Sequence, residues 1–135
     1  MKRWLPMLIA LVIALCALAV RGGIRASARR KREIGYQAAL RTYSDAFHPG
    51  ITRKELEDSL RSRRINFTRM YTAFGGTTQC QYADLVKIGE ETAPWYCEVE
   101  YVYVAIEFSG TDKYKQNDAD VLERIEEFRP DQGCL

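Results

Sequence analysis

The chain has 135 residues, which is enough for one globular domain but not for two. Its formal net charge of +2 hides an asymmetry, because residues 1–32 hold eight Lys and Arg and no acidic residue. Subtracting those eight from the total of 20 leaves 12 basic against 18 acidic residues, so residues 33–135 carry a charge of −6. An acidic body argues against a nucleic-acid-binding domain, which usually presents a basic face to phosphates.

The first predicted element is a hydrophobic segment over residues 1–20. Lys2 and Arg3 precede an apolar run from Trp4 to Val20, 17 residues long, whereas a helix that spans a membrane needs about 20. It is either a retained transmembrane anchor with Arg21 at the far interface, or a signal peptide cleaved after Ala17-Leu18-Ala19, an A-x-A site. We favour the anchor, because the run is unbroken and leucine-rich and an arginine so close to the site hinders cleavage.

Residues 21–32 are predicted to be a basic juxtamembrane linker, since Gly22, Gly23 and Ser27 fall within them. The cluster Arg29, Arg30, Lys31 and Arg32 is expected to attract anionic lipid headgroups, each cation contributing about 1 kcal/mol. The alternative is a solvated connector whose charges only set the topology.

The sequence signals for the orientation of the membrane segment conflict with one another. Six Lys and Arg after it against two before it would leave the domain in the cytoplasm under the positive-inside rule. The cysteines and the very short N-terminal tail favour export. We predict a single-pass membrane protein with an extracytoplasmic, periplasmic domain.

Two helices are predicted at the start of the domain, residues 33–135. In the first, an apolar stripe at spacings of 4, 3 and 4 predicts one buried face (Tyr36, Leu40, Tyr43 and Phe47). The turn His48-Pro49-Gly50 ends it, which makes His48, the only histidine, a turn residue rather than a ligand.

The second helix has a clear start signal. Thr52 and Glu55 form a capping box, and Ile51 and Leu56 occupy the hydrophobic-staple positions. Leu56 and Leu60 are expected to form its buried side, and Arg61, Arg63 and Arg64 suit the negative end of the helix dipole.

Strands are predicted at residues 65–73, 82–88, 93–108 and 118–129, and Gly89 is expected to end the second of them. The last pattern also fits a helix, but the long third strand needs a partner. Alternation in the third strand separates two faces, one with Val102, Val104, Ile106 and Phe108 and the other with Tyr101, Tyr103, Ala105 and Glu107. We therefore predict an α+β fold in which a hydrophobic N-terminal helix precedes two helices packed on a three- or four-stranded antiparallel meander.

The segment Phe47-His48-Pro49-Gly50-Ile51-Thr52-Arg53-Lys54-Glu55-Leu56 resembles the "G-M-T-x-x-E/Q-V" opening of the small SmpA/OmlA (BamE-like) envelope proteins, whose fold is shared with beta-lactamase-inhibitor proteins. The resemblance implies an N-terminal anchor, two helices on an antiparallel sheet, and a role as assembly partner, scaffold or inhibitor without catalysis. The chain departs from the family where "L-G-x-P" is replaced by Leu60-Arg61-Ser62-Arg63-Arg64, and Leu15 before Cys16 breaks the lipobox.

Three further segments, Asp84–Glu91, Pro94–Cys97 and Gly133–Leu135, are similar to uncharacterised anchored bacterial proteins. This likeness carries no activity with it.

The cysteines predict one disulfide. A hairpin around residues 109–118 would place Cys97 beside the tail that holds Cys134, whereas Cys80 would lie about seven residues, or roughly 23 Å, out of register. Because bridged Cα atoms lie within about 7 Å, we predict a Cys97–Cys134 bridge that contributes about 4 kcal/mol. The alternative is a cytosolic domain with three free thiols. The spacing fits neither a C-x-x-C redox motif nor a zinc site.

No motif indicates catalysis, a cofactor, a metal or a small-molecule substrate. Asp84, Glu90 and Glu91 are candidate paired carboxylates, but solvated side chains explain the glutamates as well.

Aromatic residues mark the most suggestive surface, at the start and outer face of the third strand: Trp95, Tyr96, Tyr101 and Tyr103. Aromatic side chains are enriched in binding hot spots, although a sheet face also uses them for cross-strand packing. We expect a membrane-anchored envelope protein whose domain binds another envelope protein. The alternative is a secreted small inhibitor or ligand-binding protein released by signal-peptide cleavage.

Overall fold

The computed structural model describes residues 4–73, 80–93, 97, 99–110 and 115–130. The chain divides into two compact units, Met1–Gly35 and Tyr36–Leu135. The helices and strands follow in the order α1 (Leu5–Ala46), α2 (Arg53–Ser62), β1 (Thr68–Ala73), β2 (Cys80–Glu91), β3 (Glu100–Ser109) and β4 (Val121–Phe128). The fold is therefore α+β, with helices followed by four strands.

The helix α1 is 42 residues long and continuous, so the predicted hydrophobic helix, linker and first domain helix are one element rather than three. The predicted linker is helical because Arg, Lys and Ala, which favour helices, outweigh two glycines that each cost about 1 kcal/mol. The part Met7–Ala46 is long and apolar enough to cross a membrane, with a mean hydropathy of 2.4 in its most apolar window. A signal sequence near an N-terminus would meet the same criteria of length and apolar composition.

The capping box that starts α2 is confirmed. The Thr52 hydroxyl accepts a hydrogen bond from the Glu55 backbone N–H at 3.4 Å, and the Glu55 carboxylate accepts one from the Thr52 N–H at 3.0 Å. Leu56 and Leu60 are fully buried, as their spacing predicts. Arg64, just past the helix, has a positive φ of 59°.

The four strands form one antiparallel sheet in the order β1-β2-β3-β4, which confirms the meander. The strand β2 does not end at Gly89 as predicted, because a bulge between Lys87 and Gly89 carries the pairing on to Glu91. The Tyr36 ring occupies the space that a Cβ atom at position 89 would need. Gly89 is thus a packing requirement within a strand rather than a strand end.

The main core lies between the helices and the face of the sheet that we call the inner face. Buried residues of the strands meet buried residues of α2 and the residue directly after α1 there: Val86, Val104, Ile106, Phe108, Leu122, Leu56, Leu60 and Phe47. Leu40 and Tyr43 on α1 pack against this cluster and are half-buried. The predicted stripe of the first domain helix is therefore its packed side.

Candidate functional site: the two faces of the sheet

The predicted aromatic surface is present in part on the opposite face of the sheet, which we call the outer face. Tyr101 and Tyr103 lie on β3, both are half-buried, and their ring centroids are 6.3 Å apart in an edge-to-face arrangement. The Lys87 ammonium lies 4.0 Å from the centre of the Tyr101 ring, a cation–π contact. Tyr103 is also paired across the strands with Phe128, which is half-buried.

The centre of the outer face is more buried than its aromatic edge. Ala83, Leu85 and Ala105 form a second apolar cluster in which no member is more than 4% exposed, and Tyr103 and Phe128 pack against it. Glu107 is also buried on this face, at 1% exposure. The tyrosines therefore form the accessible border of an apolar face.

The remaining predicted site residues are only partly within the described structure. Trp95, Tyr96 and Cys134 lie outside the described residues. Cys97 is half-buried and disulfide-bonded, and Cys16 is a free exposed thiol. The partner of Cys97 is not among the side chains that the structure describes, so the pairing with Cys134 stays a prediction.

The predicted headgroup-binding cluster, Arg29, Arg30, Lys31 and Arg32, is exposed on α1. It lies in a helix rather than in a flexible linker. Consecutive helical residues point about 100° apart, so these four side chains surround the helix instead of sharing one face.

A buried ion pair on the inner face was not expected from the sequence. Arg53, in the first turn of α2, is 1% exposed, and its guanidinium donates a hydrogen bond to the Asp84 carboxylate on β2 at 2.9 Å. The same guanidinium lies 4.1 Å from the centre of the Phe108 ring and 3.8 Å from the Asp120 carboxylate. Because burying one charge alone is very costly, the two ions must enter the core together.

A buried carboxylate on α2 extends this network to β1. Glu57 is 2% exposed and accepts hydrogen bonds at 2.5 Å from both Arg61 and Arg69. The Arg69 guanidinium also lies 4.0 Å from Asp84. The network therefore connects α2 with strands β1 and β2.

Burial raises the pKa of Asp84 from 3.8 to about 6. The positive charges of Arg53 and Arg69 oppose this shift, and the nearby Glu57 carboxylate adds to it. The sequence holds one signal for this buried carboxylate. Asp84 lies two residues before Val86, a core position, and therefore on the same face of the strand. Asp84 does not form a pair with Glu90, which is exposed and ion-paired with Lys87 at 3.1 Å.

The outer face holds its own buried carboxylate. Glu107 accepts a hydrogen bond from the Arg124 guanidinium at 2.7 Å, and this arginine side chain is 46% exposed. Burial raises the pKa of Glu107, and the hydrogen bond from Arg124 partly offsets that effect. Among the residues that the structure describes, no group of three or more His, Cys, Asp or Glu could hold a metal ion.

Comparison with known proteins does not assign this chain to a family. No protein family, curated protein or solved structure matches the chain.

Proposed function

We propose that this chain is a membrane-anchored envelope protein whose domain is a non-catalytic interaction or scaffold module. In this proposal the domain binds another envelope protein through the outer face of its sheet, at the border formed by Tyr101 and Tyr103. The proposal includes the resemblance of residues 47–56 to BamE-like proteins, which implies the same mode of action.

The observation that carries the proposal is the exposure of two tyrosines beside a buried apolar cluster. Each ring of the pair retains accessible surface, and Lys87 adds a cation beside Tyr101. Interfaces typically combine aromatic anchors with neighbouring polar groups that surround them. A partner could cover the tyrosines without rearranging the sheet.

The chemistry of Cys97 supports an extracytoplasmic domain. Disulfides persist mainly in oxidising compartments such as the periplasm, and Cys97 is disulfide-bonded. The register of the sheet supports Cys134 as its partner. Cys97 lies six residues before Tyr103 and Cys134 six residues after Phe128, and Tyr103 and Phe128 are paired.

Site-specific photo-crosslinking in intact cells tests the interface. A benzoylphenylalanine replacing Tyr103 should give a discrete adduct with one envelope protein. The matched control is the same replacement at Tyr71, which is 41% exposed and belongs to an aromatic pair in phase with the inner-face positions. Adducts of equal yield and identity from both positions, or none from Tyr103, would contradict the proposal.

Thiol labelling with a membrane-impermeant reagent tests the orientation. If the domain is exported with a Cys97–Cys134 bridge, both cysteines label in intact cells, and only after reduction. Labelling that needs lysis but no reductant would put the domain in the cytoplasm and remove the envelope partner from consideration.

The intact mass of the protein separates the anchor from the alternative, a secreted inhibitor or ligand-binding protein. A retained anchor leaves the full-length mass in the membrane fraction. A mass corresponding to cleavage after Ala19, in the soluble fraction, would favour the secreted protein.

A further inference from the structure

The helical state of residues 21–32 arranges their positive charges in a way that a linker would not. Arg21, Arg25 and Arg29 are spaced by four residues within α1, so each is rotated by only about 40° from the one before it. They form one stripe, which we call the arginine face. Arg32 falls on the same side of the helix, about 60° from Arg29, whereas Arg30 and Lys31 point about 100° and about 200° away from Arg29.

The side chains of the arginine face are open to solvent. All three are exposed, and within the described parts of the chain none of them forms a salt bridge with an acidic side chain. The first acidic residue after the N-terminus is Glu33. A group of cations on one side of a helix, directly after an apolar run, is complementary to an anionic surface at the membrane boundary.

The dimensions of the helix decide which cations reach that surface. With a rise of 1.5 Å per residue, Arg25 and Arg29 lie about 6 Å and about 12 Å beyond Arg21 along the axis. The headgroup layer on each side of the hydrocarbon core is about 5–7 Å thick. An upright helix would bring Arg25 to this layer but hold Arg29 outside it.

A tilted helix removes that mismatch. Membrane-spanning helices tilt by up to about 40° from the bilayer normal. A tilt towards the arginine face lowers the Arg29 side chain towards the headgroups and raises side chains on the opposite side of the helix. Long arginine side chains can extend further towards the interface.

We propose that the arginine face of α1 binds the phosphate groups of anionic lipids and that this contact tilts α1 towards that face. The inference rests on the membrane anchor of the proposed function and deepens it. It assigns lipid contact to Arg21, Arg25 and Arg29, whereas Arg30 and Lys31 face away from the bilayer.

The test uses the full-length protein in nanodiscs of zwitterionic lipid containing a spin-labelled phosphatidylglycerol or a spin-labelled phosphatidylcholine. The preference for phosphatidylglycerol is measured as the ratio of the two association constants. Two double variants remove the same charge, Arg25→Gln with Arg29→Gln on the arginine face and Arg30→Gln with Lys31→Gln away from it. We expect the first variant to lower the preference for phosphatidylglycerol by roughly five-fold or more. The second variant should lower this preference by no more than about a third of that loss.

The outcomes separate this inference from the anchor itself. Equal losses in both variants would mean an unspecific charge effect and would overturn the inference. The absence of any phosphatidylglycerol preference in the unmodified protein would overturn it too. If the unmodified protein were still fully retained in nanodiscs, that result would leave the proposed membrane anchor unaffected. Failure of the unmodified chain to remain in nanodiscs would remove the anchor and the inference together.

Discussion

On the inner face of the sheet Asp84 is buried together with its cationic partner Arg53, whereas on the outer face the equally buried Glu107 has a partner, Arg124, that keeps nearly half of its side chain in water. The first pair has lost the hydration of both ions, and the second has lost mainly that of the carboxylate. Removing one member of a fully buried pair leaves an uncompensated charge in the core. Two ion pairs of similar length, 2.9 Å on the inner face and 2.7 Å on the outer face, thus differ in what their removal costs.

The largest expected effect comes from removing the inner cation. Arg53→Met keeps the apolar stem near Phe108 but leaves Asp84 without its closest counter-charge. We expect the free energy of unfolding at pH 7 to fall by about 3–5 kcal/mol. The measurement is urea unfolding of the full-length protein in detergent, followed by circular dichroism.

Arg124→Met is the matched control on the outer face. Here the expected loss is only about 1–2 kcal/mol, because the partly exposed site can be resolvated. Equal losses for Arg53→Met and Arg124→Met would show that the two faces do not differ in the way their burial indicates.

The second effect is a dependence of stability on pH. Because the pKa of Asp84 is raised from 3.8 to about 6, the folded state binds this proton more tightly than the unfolded state. The contribution is therefore fully present below pH 3.8 and is lost as the pH rises through 6, by about 3 kcal/mol in total. Unfolding in urea between pH 4 and pH 7.5 measures it.

Two substitutions sharpen this result. Asp84→Asn should flatten the profile over that range, whereas Glu107→Gln should change it less, since its partner remains in contact with water. A profile that keeps its slope in Asp84→Asn would mean that another group is responsible for the titration.

A third, smaller effect concerns how closely α1 packs on the inner face. In Gly89→Ala the new methyl group overlaps the Tyr36 ring, and we expect a loss of about 1–3 kcal/mol in the free energy of unfolding. Gly35→Ala is the control, because it lies within α1 with no atom within 4 Å of the added Cβ. This change should stabilise the protein by about 0.5–1 kcal/mol. A neutral Gly89→Ala would show that the helix can shift away from the sheet.

The smallest expected effect on stability lies at the proposed interface. Replacing both Tyr101 and Tyr103 by Ala removes half-buried rings that stabilise the sheet through pairwise contacts, so the loss should be about 1 kcal/mol. Thermal unfolding by circular dichroism checks it. A loss larger than that of Gly89→Ala would indicate that the tyrosines are structural, which would weaken their assignment to partner binding.

Local patterns predicted several elements well. The capping box depends on residues three apart, and the alternation along β3 depends on neighbours two apart, so both are visible in a short window of sequence. The burial of Leu56 and Leu60 could be predicted for the same reason, because these residues are only four positions apart. The expected break after the hydrophobic segment was wrong, because extending an existing helix costs less than starting a new one.

The candidate sites show the limit of that reasoning. Two tyrosines were identified on the outer face from alternation alone. The ion pair of Arg53 and Asp84 was missed, because its members are 31 residues apart and meet only when α2 lies over the sheet. Gly89 was predicted to end β2, since a glycine in a strand pattern signals a bulge and a stop equally well.

By itself the sequence determined an apolar N-terminal helix, a capped second helix and a meander of three or four strands, since short-range periodicity and capping depend on nearby residues. The tertiary structure decided which charges are buried, why position 89 requires glycine and which aromatic rings stay accessible. These properties depend on contacts between α1, α2 and the sheet, whose members are distant in the chain and come together only as the core excludes water.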